Sequence, residues 1–251
     1  MTKHEYTEFL FLPSLARSTA KMQLRDMKSY LRRVEFFFER DDSKLQLEED
    51  KLYWRSLDNP EDESEDWLIQ MKRIRHESNY DLFLKSSLGM LYSSLDIALF
   101  NVARLVSQIT KIDRNPKNYE PAKRDPKFAG DIGTYARYLI DFHKLNWHEL
   151  RDEWARIDRF RIIRNYIIHQ GGELEPEQLK RFDAIAKTEE GLSRDDTSIT
   201  ISTFYLNSIF DHVDHFFDKL CKKLDHSVIP NKNIQAKNKN NTRKFIIYHT
   251  K

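Results

Sequence analysis

The sequence predicts an all-α protein: an antiparallel helical bundle with an extra long helix at its N-terminal end and a disordered basic tail at its C-terminal end. Three observations carry that expectation. Glycine and proline are scarce, at 6 and 7 in 251 residues, which leaves few of the breaks a turn-rich β fold needs. Apolar residues recur at intervals of three and four over long stretches, the spacing of one helix face. Hydrophobic residues make up 39% and charged residues 33%, enough for a sizeable core beneath a charged surface. Residues 1–225 are expected to form one domain, with 226–251 as a flexible appendage.

The elements follow in order. Pro13 suits the first position of a helix, where a missing N–H costs nothing. A helix is expected over 14–40, with Met22, Leu24, Met27, Leu31, Val34, Phe37 and Phe38 as its apolar stripe. The run Phe36-Phe37-Phe38 reads as core or dimer surface. Asp41-Asp42-Ser43 should break that helix, and a shorter one should follow over 44–57. The next stretch gathers Asp58, Glu61, Asp62, Glu63, Glu65 and Asp66 around the turn signal Asn59-Pro60. It lacks the spacing and glycine of a calcium loop. It reads as a solvated loop whose last acids favour the start of the next helix.

From Trp67 to about Thr110 the pattern is helical, with a break expected near Asn79. Leu84, Leu88, Leu91, Leu95, Leu99, Val102 and Val106 mark a core face, and Asp96 beside it either faces solvent or orients a group across the bundle. Residues 111–130 form a long loop with Pro116, Pro121 and Pro126. Its basic residues, Lys123, Arg124 and Lys127 among them, interleave with Tyr119 and Phe128. That mixture suits single-stranded nucleic acid, and equally a connector whose aromatics pin it to the core. Asp131 should cap a helix to about His143, with Tyr135, Tyr138, Leu139 and Phe142 buried.

A helix from Trp147 to Gln170 follows, then a short one over Pro176–Lys187. Asp195-Asp196-Thr197 makes a turn. Ser198–Ser202 alternates as a short strand would, or simply enters the last helix. That helix, from Thr203 to Leu224, should bury Leu206, Ile209, Phe210, Val213, Phe216, Phe217, Leu220 and Leu224. Beyond it the Asn- and Lys-rich tail should be disordered, with Phe245-Ile246-Ile247-Tyr248 too short for a domain.

Several function classes are excluded. One cysteine, Cys221, rules out a disulfide framework and a multi-cysteine zinc site, and it fits a reducing cytoplasm. No segment approaches the apolar length of a membrane span, and the start lacks a secretory pattern, so a cytoplasmic protein without membrane partners is expected. There is no phosphate-cradling Gly-rich loop, no Gly-x-Ser-x-Gly and no Cys/His nucleophile pair. These absences argue against an NTPase, a serine hydrolase and a thiol enzyme. His143, His148, Glu149 and Asp152 lack a metal-site spacing. Asp211-His212-Val213-Asp214-His215 reads as helix-surface ion pairing, so no metal or other cofactor is expected. Net charge is +2, but the tail from His226 holds six Lys/Arg and no acid, leaving 36 basic and 40 acidic residues in the body. A mildly acidic body must bind RNA through local patches or the tail.

The most informative stretch is Arg161-Ile162-Ile163-Arg164-Asn165-Tyr166-Ile167-Ile168-His169-Gln170-Gly171-Gly172. On a helical wheel Leu150, Trp154, Ile157, Phe160 and Ile168 share one arc. Arg164 falls inside that arc and Arg161 at its border. A guanidinium cannot shed its proton, so a buried one needs an anion, a wet cleft or a phosphate. Gly171 is the expected left-handed cap and Gly172 a second break. His169 then lies in the last turn, where the helix dipole favours a cation. A cation on an apolar face with a titratable ring at its mouth suits a phosphodiester.

Arg164-Asn165-x-x-x-His169 resembles the Arg-x4-6-His motif of the HEPN superfamily (higher eukaryotes and prokaryotes nucleotide-binding domains). Asn165 stands for the motif's polar residue and Tyr166-Ile167-Ile168 for its apolar run. The likeness extends loosely over residues 80–225, in helix order more than in identities. It implies a metal-independent endoribonuclease, a toxin of a toxin–antitoxin pair or an antiphage defence effector. The RNA 2′-hydroxyl would attack the neighbouring phosphate, with His169 as acid or base, Arg164 on the phosphorane charge and Asn165 orienting. Arg161, Tyr166, Lys123, Arg124 and Lys127 are the candidate RNA contacts. The alternatives are a HEPN-like module that binds nucleotide or protein without cleaving, and a plain helical interaction protein. An antitoxin or defence-complex protein is a further partner the resemblance implies. It also implies a homodimer with the motif at its interface. Arg164 and His169 point ~140° apart on a regular helix, so one motif converges poorly on one phosphate.

Overall fold

The computed structural model describes residues 3–58, 66–110, 115–121, 125–143 and 145–228. It is 85% helical with one small sheet, and the protein is all-α. The helices are α1 (Lys3–Asp58), α2 (Asp66–Thr110), α3 (Gly130–His143), α4 (Arg151–Gln170), α5 (Pro176–Ala186) and α6 (Thr203–Val228). Strands β1 (Leu192–Asp195) and β2 (Ser198–Ile201) pair antiparallel between α5 and α6. The acidic residues 61–65, the basic Lys123 and Arg124, and the tail from 229 lie outside the described residues.

The chain divides into two compact units. The first comprises Met1–Thr19, Ile97–Asp152 and Phe216–Lys251. Within it Leu99, Val102, Val106, Tyr138, Leu139, Phe216, Phe217 and Leu220 are buried, and Arg17 on α1 pairs with Asp218 on α6 at 2.9 Å. The 3₁₀ turns Pro116–Asn118 and Pro126–Phe128 each begin with proline behind an Asn or Asp cap, and Trp147–Leu150 leads into α4. Tyr119 donates its hydroxyl to Asp141, and its ring packs edge-on against Tyr138 and Phe142. Phe128 leans on Trp147 with centroids 5.3 Å apart. The loop aromatics are thus pinned to this unit. Gly133 allows it: a Cβ there would stand 2.2 Å from the Phe128 carbonyl.

The second unit comprises Ala20–Asp96 and Glu153–His215. Leu84, Leu88, Leu91 and Leu95 of α2 are buried, as are Trp154, Ile157, Phe160 and Ile163 of α4 and Ile209, Phe210 and Val213 of α6. In α6 all eight apolar residues chosen from the sequence are buried across the two units. The β1–β2 hairpin turns at Asp196-Thr197, with Asp196 in the left-handed region at φ 49°.

Four expectations are corrected. First, α1 does not break at Asp41-Asp42-Ser43, nor does it wait for Pro13 to begin. Ser43 satisfies its hydroxyl on the Glu39 carbonyl at 2.9 Å, Asp41 pairs with Lys44 at 3.0 Å, and Asp42 is held by Arg73 of α2. Turn-forming side chains that find such partners no longer compete with the helix backbone. Met22, Phe36 and Phe37 are exposed, while Phe38 packs among His76, Tyr80 and Phe83. Second, α2 runs unbroken through Asn79, whose side chain is exposed. Third, the turn expected over Asp195-Asp196-Thr197 is shorter, because Asp195 pairs with Ser198 as the end of strand β1, which has no alternation signal in the sequence. Fourth, by length and composition α2 passes for a membrane span, with a window averaging 1.2 in mean hydropathy. Its regular leucines are nonetheless buried within the protein.

His143 illustrates the first unit's interior. It is buried, its Nε2 finds no hydrogen-bond partner among the described residues, and burial lowers its pKa to about 4. An unfolded histidine titrates near 6.5, so the unfolded chain takes the proton first. Stability is therefore full above pH ~6.5 and falls as pH drops from there towards 4. Urea unfolding should show a loss of about 2 kcal/mol between pH 7 and pH 5. His143→Phe should remove most of that slope, and an equal slope in the variant would assign it elsewhere.

Candidate active site

The site forms where α4 ends. Its last residues read Arg164-Asn165-Tyr166-Ile167-Ile168-His169-Gln170, and the helix stops because Gly171 and Gly172 take φ of 66° and 91°. The left-handed region is cheap only for glycine. Gly172 donates its N–H back to the Tyr166 carbonyl at 3.2 Å, and its own carbonyl receives Ile199 N–H of β2 at 2.8 Å. The hairpin thereby anchors the break that leaves His169 in the final turn.

The wheel drawn from sequence is right for most of α4 and wrong at its end. Trp154, Ile157 and Phe160 are buried, and so are Ile162, Ile163 and Ile167, whereas Ile168 is 47% exposed. The buried positions 154, 157, 160, 163 and 167 recur faster than every 3.6 residues, so the covered stripe drifts round the helix and leaves Ile168 outside it. Ile168 lies over Gly89 of α2, where a Cβ would come within 3.2 Å of its Cδ1. Along the same face of α2, Lys85 lies beside Gly172 and Tyr92 lies beneath Arg164. Lys85 is itself paired with Asp81 at 2.8 Å.

Arg164 is half-buried. Its Cζ stands 4.9 Å from the Tyr92 ring centre, and one guanidinium N–H donates to Asn165 Oδ1 at 3.1 Å. Its Nε is buried without a hydrogen-bond partner. Among the described residues no ion pair between Arg164 and a carboxylate is found, and its side-chain partners are Asn165 and the Tyr92 ring. His169 is exposed, Asn165 and Tyr166 are half-buried, and Gln170 carries a buried, unpartnered Oε1. A cation keeps its full charge here at the mouth of a helix end. A buried donor left unmet costs about 1–3 kcal/mol.

The chain matches no family model, no curated protein and no solved structure.

The other sequence-chosen residues are less concentrated. Arg161 is engaged by Asp158 at 2.8 Å, so its charge is spent locally. Lys127 is exposed in the other compact unit, and Lys123 and Arg124 lie outside the described residues. The histidine-rich segment of α6 is structural: His212 Nε2 bonds the Glu153 carbonyl at 2.9 Å, Asp211 pairs with Lys28, and Asp214 lies 3.7 Å from Lys21. Among the described residues no three His, Cys, Asp or Glu side chains gather as a metal site would require.

Sequence reasoning missed Tyr92 and Glu189. Glu189 is only 2% exposed, yet it accepts from Arg156 at 2.9 Å and from Arg159 at 3.0 Å. That cluster ties α4 to the loop before β1, one to two turns upstream of Arg164. It sets the helix that carries the site.

Proposed function

We propose that the chain is a metal-independent endoribonuclease that cleaves RNA by attack of the 2′-hydroxyl on the adjacent phosphate. The observation that carries this reading is Arg164, a half-buried guanidinium with no carboxylate partner among the described residues and an unmet Nε, five residues before an exposed histidine at a Gly-Gly helix end. In the reaction Arg164 stabilises charge growing on the phosphorane oxygens. His169 moves the proton, as base to the 2′-hydroxyl or acid to the 5′-oxygen. Asn165 holds Arg164 through its Oδ1. The resemblance of Arg164-Asn165-x-x-x-His169 to the HEPN motif supports the same chemistry, and with it a toxin or defence role.

The test is purified protein with mixed RNAs in EDTA. Products with 2′,3′-cyclic phosphate or 3′-phosphate ends are expected. Cleavage that needs a divalent cation would overturn the mechanism. Nucleotide binding by calorimetry with no cleavage of any RNA would favour the non-catalytic module.

The reading includes a homodimer. Ile168 in the last turn of α4 is an exposed apolar residue beside His169, and α2 carries further exposed apolar side chains at Leu82 and Met90. Closed two-fold pairs are the commonest oligomers, and such a pair would bring two motifs together. Sedimentation at micromolar concentration should give a species near twice the 30.2 kDa chain mass. A fully active monomer would exclude a shared site.

A further inference from the structure

We propose that Tyr92 is a positioning residue that holds the Arg164 guanidinium ready for a phosphate; the proposal rests on the ribonuclease reading above. The contact is face-on, with Cζ 4.9 Å from the ring centre. The ring is itself steadied by Phe160, edge-on at 5.6 Å. Phe160 is fully buried in α4 one turn before Arg164, so the aromatic platform is built from the same helix it serves.

The chemistry of the pairing is specific. A carboxylate placed beside Arg164 would hold it equally well, but would neutralise the charge the reaction needs and occupy its N–H donors. An aromatic face attracts a guanidinium through its quadrupole and carries no net charge. A guanidinium held over a ring keeps its N–H groups in its own plane, where such donors match phosphate oxygens two at a time. Asn165 takes one of these donors, while Nε remains unmet. Tyr92 thus fixes a flexible side chain in place of an ion pair, and the phosphate of the substrate completes the arrangement.

The test compares Tyr92→Leu, Tyr92→Phe and wild type, with thermal melting as a folding control. Tyr92→Leu is expected to lower kcat about tenfold with little change in KM, and Tyr92→Phe to stay within about threefold, because a face of either ring serves. In an Arg164→Ala background Tyr92→Leu should cost nothing more. Equal losses in both backgrounds, or a Phe variant as damaged as the Leu variant, would overturn the proposal. If Arg164→Ala itself keeps full activity, the ribonuclease reading fails instead. A second measurement is independent of turnover: the Arg164 Nε–Hε NMR resonance titrated with inorganic phosphate. Wild type and Tyr92→Phe should bind with similar affinity and Tyr92→Leu about tenfold more weakly. Identical titrations in all three would reject Tyr92 as the positioning group.

Discussion

Arg164→Ala is expected to lower RNA cleavage by about 10²–10³-fold, the usual loss when one preorganised donor to a developing oxyanion is removed. The folded state should barely notice. Among the described residues Arg164 donates one side-chain hydrogen bond, to its neighbour Asn165, and leaves a buried Nε unmet. Truncation removes a stacked cation but also that unmet donor, so the two effects on stability oppose each other. His169→Ala should cost about 10²–10⁴-fold through loss of proton transfer, again without unfolding, since the side chain is exposed. Initial rates on a fluorogenic RNA, beside thermal melts, would check both. Full activity in either variant would remove that residue from the mechanism. If the centre draws on two chains, mixing Arg164→Ala with His169→Ala chains should give rates that neither variant explains. Strictly proportional activity would mean the motifs act independently.

What was legible beforehand divides along physical lines. The leucines of α2 and the aromatic stripe of α6 follow a strong helical period, and burial follows them closely. The end of α4 was legible because glycine enters the left-handed backbone that closes a helix at almost no cost, and two glycines stand there in succession. Features that depend on a partner elsewhere in the chain were not. Asp41-Asp42-Ser43 looks like a break until Arg73 and Lys44 supply its partners. Leu192-Ser193-Arg194-Asp195 has no strand pattern of its own, and it pairs because Ser198–Ile201 lies opposite. Tyr92 sits within a leucine-rich helix, and nothing local says that a guanidinium rests on it. Glu189 stands in Thr188-Glu189-Glu190-Gly191, which reads as a solvated turn although one of its two acids is buried.

Glu189→Ala is expected to cost about 3 kcal/mol of stability, the lower end of the range for breaking a buried ion pair by removing one partner. The carboxylate is almost wholly enclosed, so its burial is tolerable only because Arg156 and Arg159 both reach it. Their side chains remain 24% and 33% exposed, and this partial access to water holds the estimate at the lower end. Arg156 also hydrogen-bonds Ser208 of α6, which leaves it one polar partner when Glu189 is lost. The neighbouring Tyr205 is buried with no partner for its hydroxyl among the described residues, and burial, with Glu189 nearby, pushes its pKa up. Gly191 in the same turn accepts the Ser202 N–H on its carbonyl at 2.8 Å and packs so close to Ser202 and Tyr205 that a Cβ would clash, which ties the loop down beside the arginines. Glu189→Gln should lose roughly half as much, keeping an acceptor but not the charge. Replacing Glu189, Arg156 and Arg159 together by Leu, Met and Met should recover most of the loss, because an apolar cluster avoids the desolvation that the ion pairs must offset. Urea unfolding of the three variants decides the matter. A loss below about 1 kcal/mol in Glu189→Ala would place the cluster among ordinary surface ion pairs. A triple variant weaker than Glu189→Ala would mean that the ion pairs stabilise the fold more than an apolar cluster can.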